Sequence, residues 1–360
     1  MGKLQKVLIM AGGTGGHVFP GLAVAKQLRE QGIEVHWLGT RKGLESRLVP
    51  EAGFPIDFIS IGGLRGKGAK DLLLAPLRLL MAIIQSLRVI HRLKPDVVLG
   101  MGGFVSGPGG IATWLLRHPL VIHEQNAKAG LTNKWLACVA VKVLEGFPGT
   151  FSSRNKIVTT GNPVRVEIAQ LPSPASRFQG RNNPLRLLVV GGSLGAAAFN
   201  ELVPRALAKL SEGERPAVYH QTGERHLENT LKAYETAGVK ADVVPFITDI
   251  DKAYAWADIV LCRAGALTVA ELCAAGLGAI LVPYPYAVDD HQTANANYLV
   301  KHNAAMLIQQ TVLTEDGLAA IVKQLSESPA ERLAMALAAY QLRQIDATNK
   351  VLEICGEICR

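Results

Sequence analysis

This 360-residue chain begins the same way twice. Val7-Leu8-Ile9-Met10-Ala11-Gly12-Gly13-Thr14-Gly15-Gly16 is echoed by Leu187-Leu188-Val189-Val190-Gly191-Gly192-Ser193-Leu194-Gly195, and the two Gly-Gly pairs stand 179 positions apart. Each copy is an apolar run of strand length that breaks into glycines and then opens a helical pattern. Glycines let a backbone approach a ligand closely, and a helix N-terminus presents free N–H groups to negative charge. Strands are expected at Lys6–Ala11, Glu34–Leu38, Asp96–Gly100, Pro119–His123 and Val139–Leu144. The second half repeats the pattern at Arg186–Val190, Ala217–Gln221, Asp242–Pro245, Asp258–Cys262 and Ala279–Val282. Helical patterns such as His17–Gln31 and Lys70–Leu93 lie between them. Strands alternating with helices predict an α/β fold of two Rossmann-like, doubly wound domains.

A Pro-, Ser- and Arg-rich stretch over 162–184 reads as the linker. The expected domains are therefore 1–163 and 164–341, with a last helix over 342–360 packing back on the first. Hydrophobic residues at 49% and charged residues at 19% exclude a disordered chain. The first residues, Met-Gly-Lys-Leu-Gln-Lys, run straight into a strand and predict no signal peptide. The most apolar long segment, Leu72–Ile90, is interrupted by Pro76, Arg78, Gln85 and Arg88, which argues against a spanning helix. Five cysteines without a C-x-x-C pair argue against a disulfide framework or a cysteine zinc site.

The net charge of +8 hides an asymmetry. Residues 1–165 carry 21 Lys+Arg against 9 Asp+Glu, whereas residues 166–360 carry 17 against 21. A basic half points to a polyanionic partner, either nucleic acid or an anionic membrane. Between 65 and 94, Arg65, Lys67, Lys70, Arg78, Arg88, Arg92 and Lys94 flank a run rich in Leu and Ile. Apolar residues edged with cations suit a bilayer surface better than a nucleic acid. A buried amphipathic helix with a solvated basic face explains the same pattern, and one helix can serve both purposes at its two ends.

Gly12–His17 does not meet the dinucleotide fingerprint, because Val18 occupies the third glycine's place and Gly39-Thr40-Arg41-Lys42 offers no ribose-binding acid. NAD is disfavoured, NADP with its phosphate on Arg41 remains an option, and no Gly loop is followed by G-K-[ST], which excludes a P-loop NTPase. Gly100–Gly110 is a second glycine-rich turn, read as a backbone surface that receives a ligand. His123-Glu124-Gln125-Asn126 sets four polar side chains at a strand's carboxyl end, where open α/β sheets bind ligands. In the second half, a helix starting near Gly265 would aim N–H groups at a pyrophosphate, and Glu271 could accept from a ribose diol. Asp249-Ile250-Asp251 and Asp289-Asp290-His291 look like metal motifs, but each precedes a helix and reads as N-capping, so no metal site is expected.

These motifs in this order resemble the MurG family. Gly-Gly-Thr-Gly-Gly-His at 12–17, Gly-Met-Gly-Gly-Phe-Val-Ser-Gly-Pro-Gly-Gly at 100–110 and His-Glu-Gln-Asn at 123–126 carry the likeness. So do Gly-Asn-Pro-Val-Arg at 161–165, Gly-Gly-Ser-Leu-Gly-Ala at 191–196 and Arg-Ala-Gly-Ala-Leu-Thr-Val-Ala-Glu at 263–271. The resemblance implies an inverting GT-B glycosyltransferase of peptidoglycan synthesis, with its active site in the cleft between the domains. It would move N-acetylglucosamine from UDP-GlcNAc to the 4-hydroxyl of the muramyl sugar of lipid I. The product would be lipid II, made at the cytoplasmic face of the bacterial inner membrane beside other cell-wall synthesis proteins. No cofactor, protein-bound metal or nucleic acid is implied.

By the same resemblance, Ile247 meets the uracil through its backbone and Glu271 meets the ribose. Ser193, Arg165 and the turn of Ala266, Leu267 and Thr268, continuing into Val269 and Ala270, meet the diphosphate. Asn126 and Gln292 meet the donor sugar, and Thr14, Gly15 and Gly16 close over from the first domain. His17 is the candidate general base, imidazole being suited to proton transfer near neutral pH, with Glu124 the lesser candidate. Phe104 stands where the family often has Tyr, and Leu194 replaces a frequent Gln. Two other readings compete: a UDP-GlcNAc 2-epimerase of the same fold, which needs no lipid-facing segment, and a non-catalytic nucleotide-binding protein docked on membranes.

Overall fold

A computed structural model describes residues 4–62, 73–152, 155–181, 184–192 and 195–359. The chain divides into two compact units, Met1–Val164 with Ile345–Arg360, and Arg165–Gln344. The first holds a seven-stranded, all-parallel sheet. Its strands are β1 (Lys6–Ala11), β2 (Glu34–Gly39), β3 (Ile56–Phe58), β4 (Val97–Gly102), β5 (Leu120–Glu124), β6 (Lys142–Glu145) and β7 (Ile157–Thr159), in the order β3-β2-β1-β4-β5-β6-β7. The second holds β8 (Arg186–Val190), β9 (Ala217–Gln221), β10 (Asp242–Val244), β11 (Ile259–Cys262), β12 (Gly278–Leu281) and β13 (Ala305–Leu307). Their order is β10-β9-β8-β11-β12-β13.

In each sheet the winding reverses beside the first strand, between β1 and β4 and between β8 and β11. The carboxyl ends of the strands at such a reversal frame the crevice where open α/β sheets take ligands. The echoed glycine loops leave β1 and β8 at these two points. The β1–β4 ladder also slips register between Met10 and Ala11, which re-aims the strand just before its loop.

The central strands read as near-continuous apolar runs because helices cover both faces. Val7, Leu8, Ile9, Met10 and Ala11 are fully buried, as are Leu187, Leu188 and Val189. The helix Gly15–Glu30 packs against β1 on one side and the helix Ala347–Ile358 on the other. Val351, Leu352, Ile354 and Cys355 thereby enter the same core as Val18 and Leu22.

The expected linker is instead packed structure. Its residues from Arg165 onward belong to the second unit and form the helices Val166–Ala169 and Pro174–Phe178. Ser173 caps the latter, with Pro174 at its first position. Arg177, mostly buried, donates to the carbonyls of Pro172, Tyr254, Ala275 and Gly276. A guanidinium has enough donors to close the open carboxyl ends of two helices at once.

The helix Ala75–Leu93 has two characters. Towards its carboxyl end Ser86, Val89 and Ile90 are buried, while Leu77, Leu80, Met81 and Ile84 nearer its start are 40–56% exposed. The flanking Arg65, Lys67 and Lys70 lie outside the described residues. Two helices stacked beyond it, Ser106–Leu115 and Leu131–Val139, add exposed Trp114, Leu115, Leu131 and Trp135, which the sequence reading did not single out. Among the described residues no helix is long and apolar enough to cross a membrane.

Candidate active site

In the first unit the site is built from the β1 loop inward. Gly13 N–H donates to Glu45 Oε2 at 2.9 Å, and Glu45 Oε1 accepts from both the N–H and the hydroxyl of Thr40 at 2.8 Å. Glu45 is fully buried. A Cβ on Gly12, Gly39 or Gly43 would meet its side chain within 2.7 Å, so three glycines make room for one carboxylate that clamps two loops together. The acid that seemed missing after β2 is thus present six residues on, turned inward to hold the backbone.

The second glycine-rich turn is occupied by protein at its start. Gly103 has φ +82°, and a Cβ there would lie 2.1 Å from the Gly12 carbonyl oxygen. At Gly102, φ +100°, the same atom would strike the His17 ring at 2.5 Å. These glycines seat the β1 loop and the imidazole. Further on, Gly109 and Gly110 sit against Met10 and Leu136.

His17 lies in the first turn of the helix Gly15–Glu30, after the N-cap Thr14. Its Nδ1 is 3.0 Å from Gln125 Oε1, and Nε2 has no hydrogen-bond partner among the described residues. Gln125 Nε2 approaches His123 Nδ1 at 3.1 Å, and His123 Nε2 reaches the Gly161 carbonyl at 2.9 Å. Burial holds His123 down at about 4, so it is neutral near pH 7.

Glu124, considered as a second base, has its carboxylate fully engaged. Oε1 accepts from Asn126 N and Nδ2 at 3.0 and 3.1 Å, and Oε2 from Gly130 N and Asn133 Nδ2 at 3.0 and 2.9 Å. The residue is 3% exposed. Its geometry is that of an anchor for the 124–130 loop, and it presents Asn126 half-buried at the sheet's carboxyl edge.

In the second unit, Ser193 and Leu194 lie outside the described residues. Around them, a Cβ on Gly195 (φ +76°) would fall 1.8 Å from the Thr222 carbonyl. Gln221 at the end of β9 donates to the Gly192 carbonyl at 2.8 Å and accepts from Ile247 N at 3.3 Å. Any base contact through the Ile247 backbone therefore falls to its carbonyl oxygen. Gln221, like Glu45, escaped the sequence reading because it sits inside an ordinary strand pattern.

After β11, the helix Ala266–Ala275 begins at Gly265, which offers no side-chain cap. Val269 N–H is the first to close on Gly265 O, at 2.9 Å. The N–H groups of Ala266, Leu267 and Thr268 precede it, and these are the groups a helix leaves open at its start. Val269 has its N–H in the helix and its side chain buried, while Ala270 is partly buried. Glu271, one turn on, is 4% exposed. Its Oε1 accepts from Arg165 Nε at 3.1 Å and Nη2 at 2.8 Å, and its Oε2 from the Tyr254 hydroxyl at 3.3 Å. Burial raises the Glu271 carboxyl above its ordinary value, with Arg165 and Tyr254 pulling the other way.

Gln292, in the first turn of the helix His291–Val300, accepts from Tyr284 N at 2.8 Å and fixes the loop that precedes it. Arg263 steadies the same loop through the carbonyls of Val282 and Pro283, with its guanidinium over the Phe199 and Tyr284 rings. The two acidic motifs stand at helix starts, but neither caps. Asp249 pairs with Lys252 at 2.6 Å and Asp290 accepts from the Thr293 hydroxyl at 2.6 Å.

Two parallel-sheet units, each with a glycine loop at its winding reversal, one carrying a histidine and the other a buried carboxylate beside an open helix start, define a nucleotide-sugar transferase architecture. Residues 7–145 match the glycosyltransferase family 28 N-terminal domain and residues 186–351 its C-terminal domain. The chain belongs to this family. It is 55% identical over 353 residues to a protein of Marinobacter nauticus named UDP-N-acetylglucosamine--N-acetylmuramyl-(pentapeptide) pyrophosphoryl-undecaprenol N-acetylglucosamine transferase, covering 98% of this chain and 97% of that one. A protein of the same name from Nitrosococcus oceani is 56% identical, over 98% of each chain. The crystal structure of Acinetobacter baumannii MurG superposes with a TM-score of 0.85 at 44% identity, covering 98% of this chain and 99% of that one, and shares the GT-B fold. A UDP-N-acetylglucosamine 2-epimerase superposes at 0.66 with 14% identity, a likeness of fold alone.

Proposed function

We propose that this protein transfers N-acetylglucosamine from UDP-GlcNAc to the 4-hydroxyl of the N-acetylmuramyl sugar in undecaprenyl-pyrophosphoryl-MurNAc-pentapeptide, with inversion, yielding lipid II and UDP. The observation that carries this reading is the 55% identity over 98% of the chain to a transferase of that name. The geometry supports a division of labour. The second unit takes the donor: the ribose diol on Glu271, the uracil at the Ile247 carbonyl, and the diphosphate on the N–H groups of 266–268, Ser193 and Arg165. Asn126, Gln292 and the Thr14-Gly15-Gly16 turn contact the sugars.

In the transfer step the acceptor oxygen forms a bond to C1 of the donor sugar and gives its proton to His17 Nε2. The bond from C1 to the diphosphate oxygen breaks, and its electron pair leaves with UDP. Helix N–H groups and a guanidinium stabilise that developing charge without rearranging at the moment of reaction.

The lipid acceptor fits the apolar end of Ala75–Leu93. Exposed Leu77, Leu80, Met81 and Ile84, together with Trp114 and Trp135, enter the headgroup boundary of an anionic membrane while the surrounding cations meet its lipids. The site then works at the cytoplasmic face, as a peripheral protein among other cell-wall enzymes.

The test is UDP release from UDP-GlcNAc with and without a lipid I analogue. Release that depends on the acceptor, and that is lost in His17→Ala while UDP-GlcNAc still binds, is expected. Release without acceptor, or conversion of the donor to its 2-epimer, would overturn the reading. Full activity in His17→Ala would remove the base assignment alone.

A further inference from the structure

The strand end that carries His123 and Gln125 holds a chain of hydrogen bonds whose direction follows from its buried terminus. The Gly161 carbonyl can only accept, so the His123 nitrogen 2.9 Å away, Nε2, carries the ring proton; the Thr160 hydroxyl lies beside it at 3.3 Å. His123 is fully buried and neutral, which leaves Nδ1 a bare lone pair. One end of the Gln125 amide stands 3.1 Å from that lone pair and 3.3 Å from the His123 carbonyl. Two acceptors face it, so that end must be the NH2 group, and the flipped amide would set oxygen against both. Oε1 is thereby turned to His17 Nδ1 at 3.0 Å, and an amide oxygen can only accept.

We infer that His123 and Gln125 are positioning residues that hold His17 as the Nδ1–H tautomer, keeping its Nε2 unprotonated and presented for the acceptor's hydroxyl. The catalytic consequence rests on the reading of His17 as the base; the tautomer itself does not. In water a free histidine favours the opposite form, with the proton on Nε2, which could not receive one there. Gln125 orients the ring without bringing a charge to the site, and the neighbouring Glu124 spends its carboxylate on Asn126, Gly130 and Asn133. The Gln125 backbone is held too, its carbonyl accepting from Asn162 Nδ2 at 3.0 Å. Removing the side-chain amide therefore leaves the loop its own support.

The tautomer is read directly by two-bond 1H–15N correlation on protein labelled at histidine nitrogens, with His17 assigned by its loss in His17→Ala. A bare Nε2 and a protonated Nδ1 are expected in the unaltered protein for the neutral ring. Gln125→Met, of similar length but with only a weakly accepting thioether in place of the amide oxygen, should shift His17 to the Nε2–H form. It should also lower kcat roughly 10- to 100-fold, as loss of an orienting partner does elsewhere, with KM for UDP-GlcNAc unchanged. His123→Phe, which frees the amide to turn, should give a mixture of tautomers and a smaller fall. Nε2–H in the unaltered protein, or a tautomer indifferent to both substitutions, would overturn the inference, and the first of these needs no variant to fold. Undiminished turnover in His17→Ala would instead strike the base reading, whatever the tautomer.

Discussion

Glu271→Gln separates a binding role from a structural one, because the two predict different things. In the free protein the Glu271 carboxylate is 4% exposed and accepts three hydrogen bonds, two of them from Arg165 at 3.1 and 2.8 Å. Were the pair there for stability, neutralising one partner would cost several kcal/mol. Burial nevertheless raises this carboxyl despite Arg165, so at neutral pH the ionised group is itself a net cost to folding. The Arg165 side chain is 40% exposed, so water already solvates part of its charge. Glutamine also keeps the shape. The expected change in folding stability is therefore within about 1 kcal/mol. Donor binding should suffer far more. A hydrogen bond to a charged group is worth about 1.5–3 kcal/mol, and glutamine retains one of the two acceptor oxygens, so the loss is close to one such bond. That corresponds to a Kd for UDP weakened roughly 10- to 150-fold at ~1.5–3 kcal/mol. Isothermal titration with UDP, beside a thermal melt, measures both quantities. A Kd within threefold of the unaltered protein would refute the reasoning.

Other substitutions probe the same account. Arg165→Met leaves Glu271 buried without its cation and should cost about 3 kcal/mol near neutral pH. Since the loss of Arg165 raises the Glu271 carboxyl still further, that stability is present in acid and lost as pH rises through the folded-state value. The melting gap to the unaltered protein should widen as pH rises from acid towards neutral; a gap that grows towards acid contradicts it. Gly103→Ala puts a methyl against the Gly12 carbonyl at positive φ and should cost about 3 kcal/mol along with most turnover, read by melting and UDP release. Leu77→Gln with Leu80→Gln should reduce sedimentation with anionic vesicles, and high salt should weaken binding of the unaltered protein. Equal partitioning into neutral vesicles would count against the basic edge.

The long central strands were legible because a strand covered on both faces must be apolar throughout, and β1, β8 and β9 begin and end where their residues indicate. Three edge strands were not. Ile56–Phe58, Ile157–Thr159 and Ala305–Leu307 have three residues each and are only partly buried, too short for a period to show. The loops were legible as places and less so as contacts. Glycines at 102 and 103 announce a close approach, but only the fold reveals that the approaching groups are His17 and Gly12. Glu45 and Gln221 organise the two loops from ordinary-looking positions, since a carboxylate or amide that holds backbone N–H groups has no spacing of its own. Arg165 and Glu271 were read as touching different parts of one ligand. Their pairing, 106 residues apart in the chain, arises only when the helices Val166–Ala169 and Ala266–Ala275 are packed together.

The central claim is that the second unit grips a uridine-linked sugar at the start of the helix Ala266–Ala275, and a crystal structure with UDP-GlcNAc bound tests it most directly. The account predicts the ribose hydroxyls on Glu271, the diphosphate at the 266–268 N–H groups, and Arg165 released from Glu271 towards the phosphates. Uridine seated instead on the Gly12–Gly16 loop of the first unit, with Arg165 and Glu271 still paired, would contradict it.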